Sequence, residues 1–389
     1  MTTADDLGLR PPRWTRRVDP ISRRLFPLAV IVGVAARFAI SRRGSNYDFD
    51  SWTMIPDILD AGGNVYSAPE LGGRYAYGPT WFLVLRVLDV VAGWIDDSTL
   101  TYRYLIIGFL ALGDLVLAVL VARIWGWTAG WVAFLNPVSI VIAGYHNQLD
   151  SLGVAIGLAA VGILAADRTR EVTRRTVVGV LVLGLGLVTK HAFFVFPLWL
   201  AMRDGSPRRR AFLLAGAPAV FLAGFVPWLD SGDAVRGVVE RVFRHPGGRS
   251  GLVRDLLDAP QSGGRYVLSY VVWVVVLVAL GWALRRVALH ESAVVFLLAN
   301  LAFAPGFANQ HLVLGVAAAS VLLAPELVVA LALGGLLVLQ NSDGAHYQFF
   351  MPGWFELEGH MYAWIQAVLW VWFARLAWRL RRAPATRGT

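Results

Sequence analysis

The sequence predicts an all-α polytopic membrane protein with about 12 transmembrane helices, in a range of about 10 to 13. Hydrophobic residues make up 57% of the 389 positions, and charged residues make up only 16%. A soluble domain of this length needs a larger polar surface. The apolar runs recur from residue 25 to residue 379, which excludes a single soluble domain with one anchor. Arginines cluster between the runs, as in loops that set membrane orientation.

The spans are defined by the apolar runs themselves. We place them near residues 25–41, 102–122, 124–143, 150–166, 176–189, 191–202, 211–228, 266–284, 292–305, 311–323, 324–340 and 359–379. Several are shorter than the roughly 20 residues that a perpendicular helix needs, so boundaries at Lys190, His311 and Ala324 are defined only to within a few residues. The stretch 79–95 also carries charged side chains and predicts a re-entrant or interfacial helix, so that the first outer loop contains amphipathic helices.

The arginines predict which side of the membrane each loop faces. They concentrate in the N-terminal tail, three loops and the C-terminal tail, at residues 10–24, 168–175, 203–210, 285–286 and 379–382. Basic loops remain in the cytoplasm, and the twelve runs place all of these segments there if 79–95 does not cross. We therefore expect a plasma-membrane protein with both termini cytoplasmic. Its first span is expected to stay uncleaved, because no small-residue cleavage site follows it.

This topology gives a basic tail (1–24), one transmembrane domain (25–379) and a C-terminal tail (380–389). The net charge of +9 would also suit a nucleic-acid-binding protein. Arginines placed between apolar spans are explained better by membrane orientation, so we expect membrane lipids and no nucleic acid as partners. The sequence has no cysteine, which excludes disulfide bonds and thiol chemistry.

Side chains that could carry chemistry collect in the segments predicted to face outward. These segments are 42–101, 144–149, 190–191, 229–265, 306–311 and 341–358. The first contains Asp48 and Asp50 just beyond a span, where a carboxylate can act as a base, bind a cation or cap a helix. An amphipathic helix should follow, because apolar residues recur at helical spacing from Trp52 to Leu59 before Gly62. For Asp50, the role of helix N-cap is an open alternative.

Further polar clusters lie at the outer boundaries of later spans. They are His146, Gln148 and Asp150; Lys190 and His191; Asn309, Gln310 and His311; and His346 with Tyr347 in the last outer loop. Such clusters are costly at membrane depth unless they line a cavity. The alternatives are an ordinary polar loop, a snorkelling lysine and a structural histidine. Lys190, the only lysine, could hold an anion. Asp114 lies mid-span, about 15 Å from either end, and we expect a packing role for it.

The order of these motifs resembles the GT-C superfamily of membrane glycosyltransferases, especially the PIG-M-type and bacterial polyprenyl-phosphate-mannose-dependent mannosyltransferases. The resemblance covers roughly residues 25–200. The residues that carry it are Asp48-Phe49-Asp50, Gly63 to Tyr66, Arg74 to Pro79, Asp114, Asn136 to Ile140 and His146 to Asp150. Gly78-Pro79 stands where many relatives have paired prolines, and the large soluble outer domains of the superfamily are absent.

The resemblance implies transfer of a sugar, with mannose favoured, from a polyprenyl-phosphate donor to a glycolipid or lipid-linked glycan at the outer leaflet, with inversion. It implies Asp48 or, as second choice, Asp50 as general base on the acceptor hydroxyl. Cationic candidates for the donor phosphate are Lys190, Arg42, Arg43 and His311. Candidates for substrate binding are His146, Gln148, Asp150, Tyr75, Tyr77, His191, Asn309 and Gln310. No metal and no cofactor are expected, and a small accessory subunit is a possible partner.

Two other classes of function compete with this hypothesis. A multi-span transporter or flippase would use polar residues near the bilayer midplane, often within inverted repeats, whereas here the polar clusters lie at one surface. An assembly scaffold would explain the hydrophobicity but not a one-sided set of histidine, lysine and carboxylate side chains. The transferase is the hypothesis that uses all of these residues.

Overall fold

The computed structural model describes residues 7–167, 169, 171–243, 249–260, 263–340 and 354–382, and most of these residues are helical. The α-helices, α1 to α17 in chain order, are Thr15–Ser41, Tyr47–Asp60, Pro79–Ile95, Thr99–Trp125, Trp127–Phe134, Pro137–Val141, Asp150–Ala165, Arg174–Thr189, Phe196–Arg203, Pro207–Phe225, Gly232–Gly237, Leu252–Leu256, Gly264–Ala283, Leu289–Phe303, Val313–Leu322, Pro325–Gln340 and Trp354–Arg382. Two short strands, β1 (Arg249–Ser250) and β2 (Gly306–Phe307), pair antiparallel.

Each apolar run interpreted as a span coincides with a helix or a broken helix. Among the described residues, four helices are long and apolar enough to cross a membrane: Thr15–Ser41, Thr99–Trp125, Pro207–Trp228 and Gly264–Ala283. The pair Trp127–Phe134 and Pro137–His146, bent by 42°, would make a fifth span. Shorter apolar helices are Asp150–Ala165, Leu289–Phe303, Asn309–Leu322 and Pro325–Leu339. The all-helical class is therefore confirmed, and the long apolar helices are consistent with a membrane protein. A count of twelve spans stays a prediction, as does the non-crossing position of α3.

The break between α5 and α6 has a local cause. Pro137 has no N–H to continue a helix and disfavours helical backbone at the residue before it. The Asn136 side chain instead accepts a hydrogen bond from the Val138 N–H (2.9 Å) and so caps the new helix. A π-helical turn, Ile142–His146, follows and ends at Asn147, which is left-handed (φ 56°). The chain then reverses into α7, and the polar residues of the turn face the bundle interior.

Segments predicted to be cytoplasmic meet at one end of the bundle. These contacts join parts of the chain that are far apart in sequence. They are Arg379 Nη1 to the Leu7 carbonyl (2.8 Å), Arg203 Nη1 to the Leu284 carbonyl (3.0 Å) and Arg209 Nη2 to the Asp167 carboxylate (3.6 Å). Arg168 and Arg170, also predicted to lie in this region, are outside the described residues. These segments therefore share one end of the bundle, and the side of the membrane that this end faces stays a prediction.

Segments predicted to face outward meet at the other end. The contacts that join them are Asn64 Nδ2 to the Trp228 carbonyl (2.8 Å), Asn46 Nδ2 to His146 Nδ1 (3.0 Å), Lys190 Nζ to Asp150 Oδ1 (3.3 Å) and the β1–β2 ladder. The first outer loop, the His146 turn and the loop at Lys190 therefore share one region of space. This end carries the candidate site.

A buried ion pair holds the middle of the bundle together. Arg37 on α1 donates from Nε (2.8 Å) and Nη2 (2.6 Å) to Asp114 Oδ2 on α4. The same guanidinium donates to the Gly33 and Phe134 carbonyls and lies over the Phe134 ring. Both charged side chains are almost completely buried. Asp114 thus has the packing role expected from its position in the span.

Candidate functional site

The site begins with the way α2 starts. Asn46 caps the helix by accepting a hydrogen bond from the Asp48 N–H (3.1 Å), and its Nδ2 donates to Asp48 Oδ2 (2.8 Å). Asp48 is only 7% exposed. Burial raises the pKa of Asp48 to about 6, although hydrogen bonds from Asn46 and Gln148 and the charge of Lys190 act in the opposite direction. Because the pKa is close to the working pH of a cell, this carboxylate can take up and release protons there.

Asp50 occupies a different position. It lies in the first turn of α2 and is exposed, and its side chain is about 200° around the helix from that of Asp48. The alternative that Asp50 caps the helix is wrong, because Asn46 is the N-cap residue. The structure therefore separates the two carboxylates and brings only Asp48 into the interior.

The turn after α6 supplies three further candidates. His146, Gln148 and Asp150 are all buried, which an ordinary polar surface loop would not be. Asn46 Nδ2 lies 3.0 Å from His146 Nδ1, so one amide group faces both Asp48 and His146. Gln148 accepts a hydrogen bond from the Tyr77 hydroxyl (2.8 Å), and its own hydrogen bond to Asp48 lowers the pKa of that carboxyl group. These contacts connect the first outer loop to the turn through polar atoms.

Lys190 completes the cluster. Its Nζ lies 3.3 Å from Asp150 Oδ1 and 4.5 Å from the centre of the Tyr77 ring. The lysine side chain is 9% exposed and that of Asp150 is 1% exposed. The snorkelling alternative for Lys190 is therefore wrong, because the ammonium group points into the protein. We refer to Asp48, His146, Gln148, Asp150 and Lys190 as the polar cluster.

An aromatic layer surrounds the polar cluster. The Trp52 ring contacts the rings of Tyr77 (5.4 Å between centroids), Trp81 (5.8 Å) and Tyr75 (6.2 Å). The Tyr75 hydroxyl donates to the Gly78 carbonyl (2.8 Å) and accepts from the Phe82 N–H (3.1 Å). Tyr75 thus stabilises the turn, whereas the ring of Tyr77 contacts Lys190 and its hydroxyl donates a hydrogen bond to Gln148.

Gly78 allows this turn to approach the end of α8. A Cβ atom at Gly78 would lie 1.5 Å from the Val188 carbonyl oxygen, a backbone atom that cannot move aside without shifting the helix. We expect Gly78→Ala to lower the free energy of unfolding by about 1–3 kcal/mol or more and to displace Tyr77 from Lys190. Thermal unfolding of the purified protein in detergent, together with the transfer assay described below, measures both effects.

Gly108→Ala is the matched control for this substitution. Gly108 lies within α4, and a Cβ atom there would meet nothing within 4 Å. Alanine is favoured over glycine inside a helix by about 1 kcal/mol, so this change should leave stability equal or slightly higher. If Gly78→Ala behaved like Gly108→Ala, the close packing of the turn against α8 would be refuted.

The remaining candidates lie around the cluster rather than in it. Arg42 and Arg43 are exposed at the end of α1. The short helix Asn309–Leu312, with Asn309, Gln310 and His311, packs against the Ile142–His146 turn, and His191 directly follows Lys190. The Ala308 N–H donates to His311 Nδ1 (3.2 Å), which gives this histidine a structural contact. His346 and Tyr347 lie outside the described residues.

Sequence reasoning missed two residues that organise this end of the molecule and its core. The role of Asn46 could have been predicted, because asparagine just before an amphipathic helix is a favoured N-cap residue. Arg37, the partner of Asp114, was hidden inside an apolar run, although an arginine within a span is expected to have a partner. Within the described residues no group of three His, Asp or Glu side chains is placed to hold a metal ion.

Comparison with known proteins identifies no relative: no family model, no curated protein and no solved structure matches this chain.

Proposed function

We propose that this protein is an inverting glycosyltransferase that acts at the outer leaflet of the plasma membrane. It moves a sugar, with mannose the expected one, from a polyprenyl-phosphate donor to a glycolipid or lipid-linked glycan acceptor. The observation that supports this proposal most directly is the burial of the Asp48 carboxylate beside Lys190, at the end of the bundle where the predicted outer segments meet. The motif order shared with the GT-C superfamily supports the same reaction.

The chemistry assigns a separate task to each charged group. Asp48 accepts the proton of the acceptor hydroxyl as that oxygen forms a bond to the anomeric carbon of the donor sugar. The bond between this carbon and the phosphate oxygen breaks, and the electron pair leaves with the polyprenyl phosphate. Attack on the face opposite the leaving group inverts the configuration. The proton on Asp48 passes to solvent after the product leaves.

Lys190 is the cation best placed to stabilise the departing phosphate. Its ammonium group is held by Asp150 and by the Tyr77 ring, so it is oriented before substrate binds. Arg42, Arg43 and His311 are the next candidates, since they lie on neighbouring segments at this end of the protein. His146 and Gln148 would then contact the sugar or fix the turn.

The proposed topology places this reaction outside the cell. Twelve spans, with α2 and α3 lying in the first outer loop, leave both termini in the cytoplasm and the polar cluster at the outer leaflet. In this arrangement a polyprenyl donor can enter laterally from the bilayer. The acceptor is then a lipid-borne glycan rather than a folded protein, because the outer segments do not include the large soluble domains of the superfamily.

The pH dependence of transfer provides a test of the base. Asp48 must be ionised to accept a proton, and its pKa is raised to about 6. We expect kcat/KM to rise with pH, to pass half of its maximum near pH 6 and to level off above pH 7. At pH 5 about one tenth of the maximal rate should remain, since about one tenth of the carboxyl groups are ionised. Initial rates between pH 4.5 and 8.5 measure this profile.

The Asn46→Ala variant sharpens this test. The Asn46 hydrogen bond lowers the pKa of Asp48, so its removal should move the midpoint of the profile to higher pH. A profile that is flat between pH 5 and pH 8 in wild-type protein would contradict the assignment of Asp48 as the base. A profile that stays unchanged in Asn46→Ala would contradict the contact between these two side chains in solution.

The experiment that tests the function itself is a transfer assay. The full chain, purified in detergent, is given radiolabelled polyprenyl-phosphate mannose and a membrane lipid extract, with a chelator present throughout. Label passing into a new lipid product supports the transferase. Failure of transfer from every polyprenyl-phosphate sugar and acceptor, with folded protein, would favour the transporter or flippase instead.

A further inference from the structure

A groove at the opposite end of the bundle has no role in the proposed reaction. It lies between the first turns of α1 and the junction of α4 with α5, and its volume is about 770 Å³. The residues that line it are Thr15, Arg16, Asp19, Pro20, Arg23, Arg24, Trp125, Gly126 and Trp127. The groove is therefore large enough for a small organic headgroup.

The groove carries unbalanced positive charge. Arg16, Arg23 and Arg24 are exposed, and their guanidinium groups form no ion pair within the described part of the chain. Arg16 and Arg23 are two helical turns apart, so both lie on the same face of α1, about 10 Å from each other. The acid of the groove, Asp19, accepts a hydrogen bond from the Thr128 N–H (2.9 Å) and so caps α5. Three arginines against this one carboxylate leave an excess of positive charge in the groove, which favours an anionic ligand.

The surroundings indicate a ligand with an apolar part. Trp125 and Trp127 flank the groove, and tryptophan is typical of the boundary between headgroups and acyl chains. On α1, Leu28 and Ile31 follow Arg24 at intervals of four and seven residues and are more than half exposed. Leu28 and Ile31 thus form an apolar stripe on α1 that starts one turn after Arg24, on the side of the arginines where the acyl chains of a lipid would lie.

We propose that this groove binds the headgroup phosphate of an anionic phospholipid from the leaflet at the basic end of the bundle. The phosphate lies between Arg16 and Arg23, with Arg24 beside it, and the acyl chains follow Leu28 and Ile31. A basic residue near a membrane surface contributes about fivefold to the binding of an anionic lipid, so two arginines contribute about 30-fold. The bound lipid would fix the start of α1 against the α4–α5 junction.

The test uses the full-length protein in a zwitterionic detergent. Thermal unfolding is followed during titration with short-chain phosphatidylglycerol, with phosphatidylcholine of the same chain length, and with glycerol phosphate. We expect the melting temperature to rise with phosphatidylglycerol only. The double variant Arg16→Gln/Arg23→Gln should need about 30-fold more lipid for the same rise. Arg13→Gln/Arg17→Gln, with the same loss of charge outside the groove, should respond like wild type.

Three results would overturn this proposal. An equal response to glycerol phosphate would show a site for soluble anions instead of lipid. If both double variants lost the response to phosphatidylglycerol equally, the lipid would be attracted by the overall charge of the basic tail and not by the groove. An equal response to phosphatidylcholine would show that the headgroup charge has no part. If Arg16→Gln/Arg23→Gln is unstable without lipid, Arg24→Gln alone, expected to weaken binding about fivefold, replaces it. These measurements do not depend on transfer activity.

Discussion

Replacing Asp48 with asparagine should lower kcat/KM for sugar transfer by a factor of about 10² to 10⁴, the usual contribution of a general base. Asparagine has the size of aspartate and can still accept the hydrogen bond from Asn46, but it cannot take the proton of the acceptor hydroxyl. The fold should persist. Burial disfavours the ionised form of Asp48, so a neutral side chain at this position costs little.

Asp50→Asn is the matched control for this prediction. It makes the same chemical change two residues away, on the exposed side of the same helical turn. We expect its transfer rate to stay within about twofold of wild type, because surface substitutions away from a site have small effects. Loss of transfer in Asp50→Asn but not in Asp48→Asn would move the base to Asp50. Full activity in both variants would keep the reaction class and refute this site.

The largest effect on stability is expected at the buried pair of Arg37 and Asp114. Asp114→Asn leaves the Arg37 guanidinium buried without a countercharge, and breaking a buried pair in this way costs about 3–5 kcal/mol. The loss should be large here because Arg37 also connects α1 to the end of α5 through the Phe134 carbonyl. Chemical or thermal unfolding in detergent, monitored by circular dichroism, measures the change.

The double variant Arg37→Met/Asp114→Leu separates charge from packing. Apolar side chains of similar volume often replace a buried ion pair without loss of stability. We therefore expect the double variant to recover most of what Asp114→Asn loses. Arg236→Gln, which removes an exposed pair with Asp233, should produce no resolvable change. If the single and the double variant are equally unstable, the unpaired charge is not the cause of the loss, and the polar groups themselves are required at these positions.

The polar cluster illustrates how far a sequence can predict a site. Asp48, Gln148 and Lys190 each lie beside a predicted span on the same predicted side, and this position in the sequence makes them candidates. The interactions of Asp48 with Gln148 and Lys190 are not encoded locally, since these partners lie about 100 and 140 positions further along the chain. The exposed position of Asp50 follows from the helical geometry of α2, and this geometry depends on Asn46 as the cap.

The sequence by itself determined the helical membrane class, the location of the helices and the grouping of loops at two ends. Apolar runs and arginine-rich loops are local signals, and the bilayer makes both obligatory. Only the tertiary structure decided which polar residues meet: Asp48 with Asn46, Asp150 with Lys190, and Asp114 with Arg37. The reason is physical. A buried charge must find a partner, but the identity of the partner depends on how helices pack, and packing depends on residues distant in the chain.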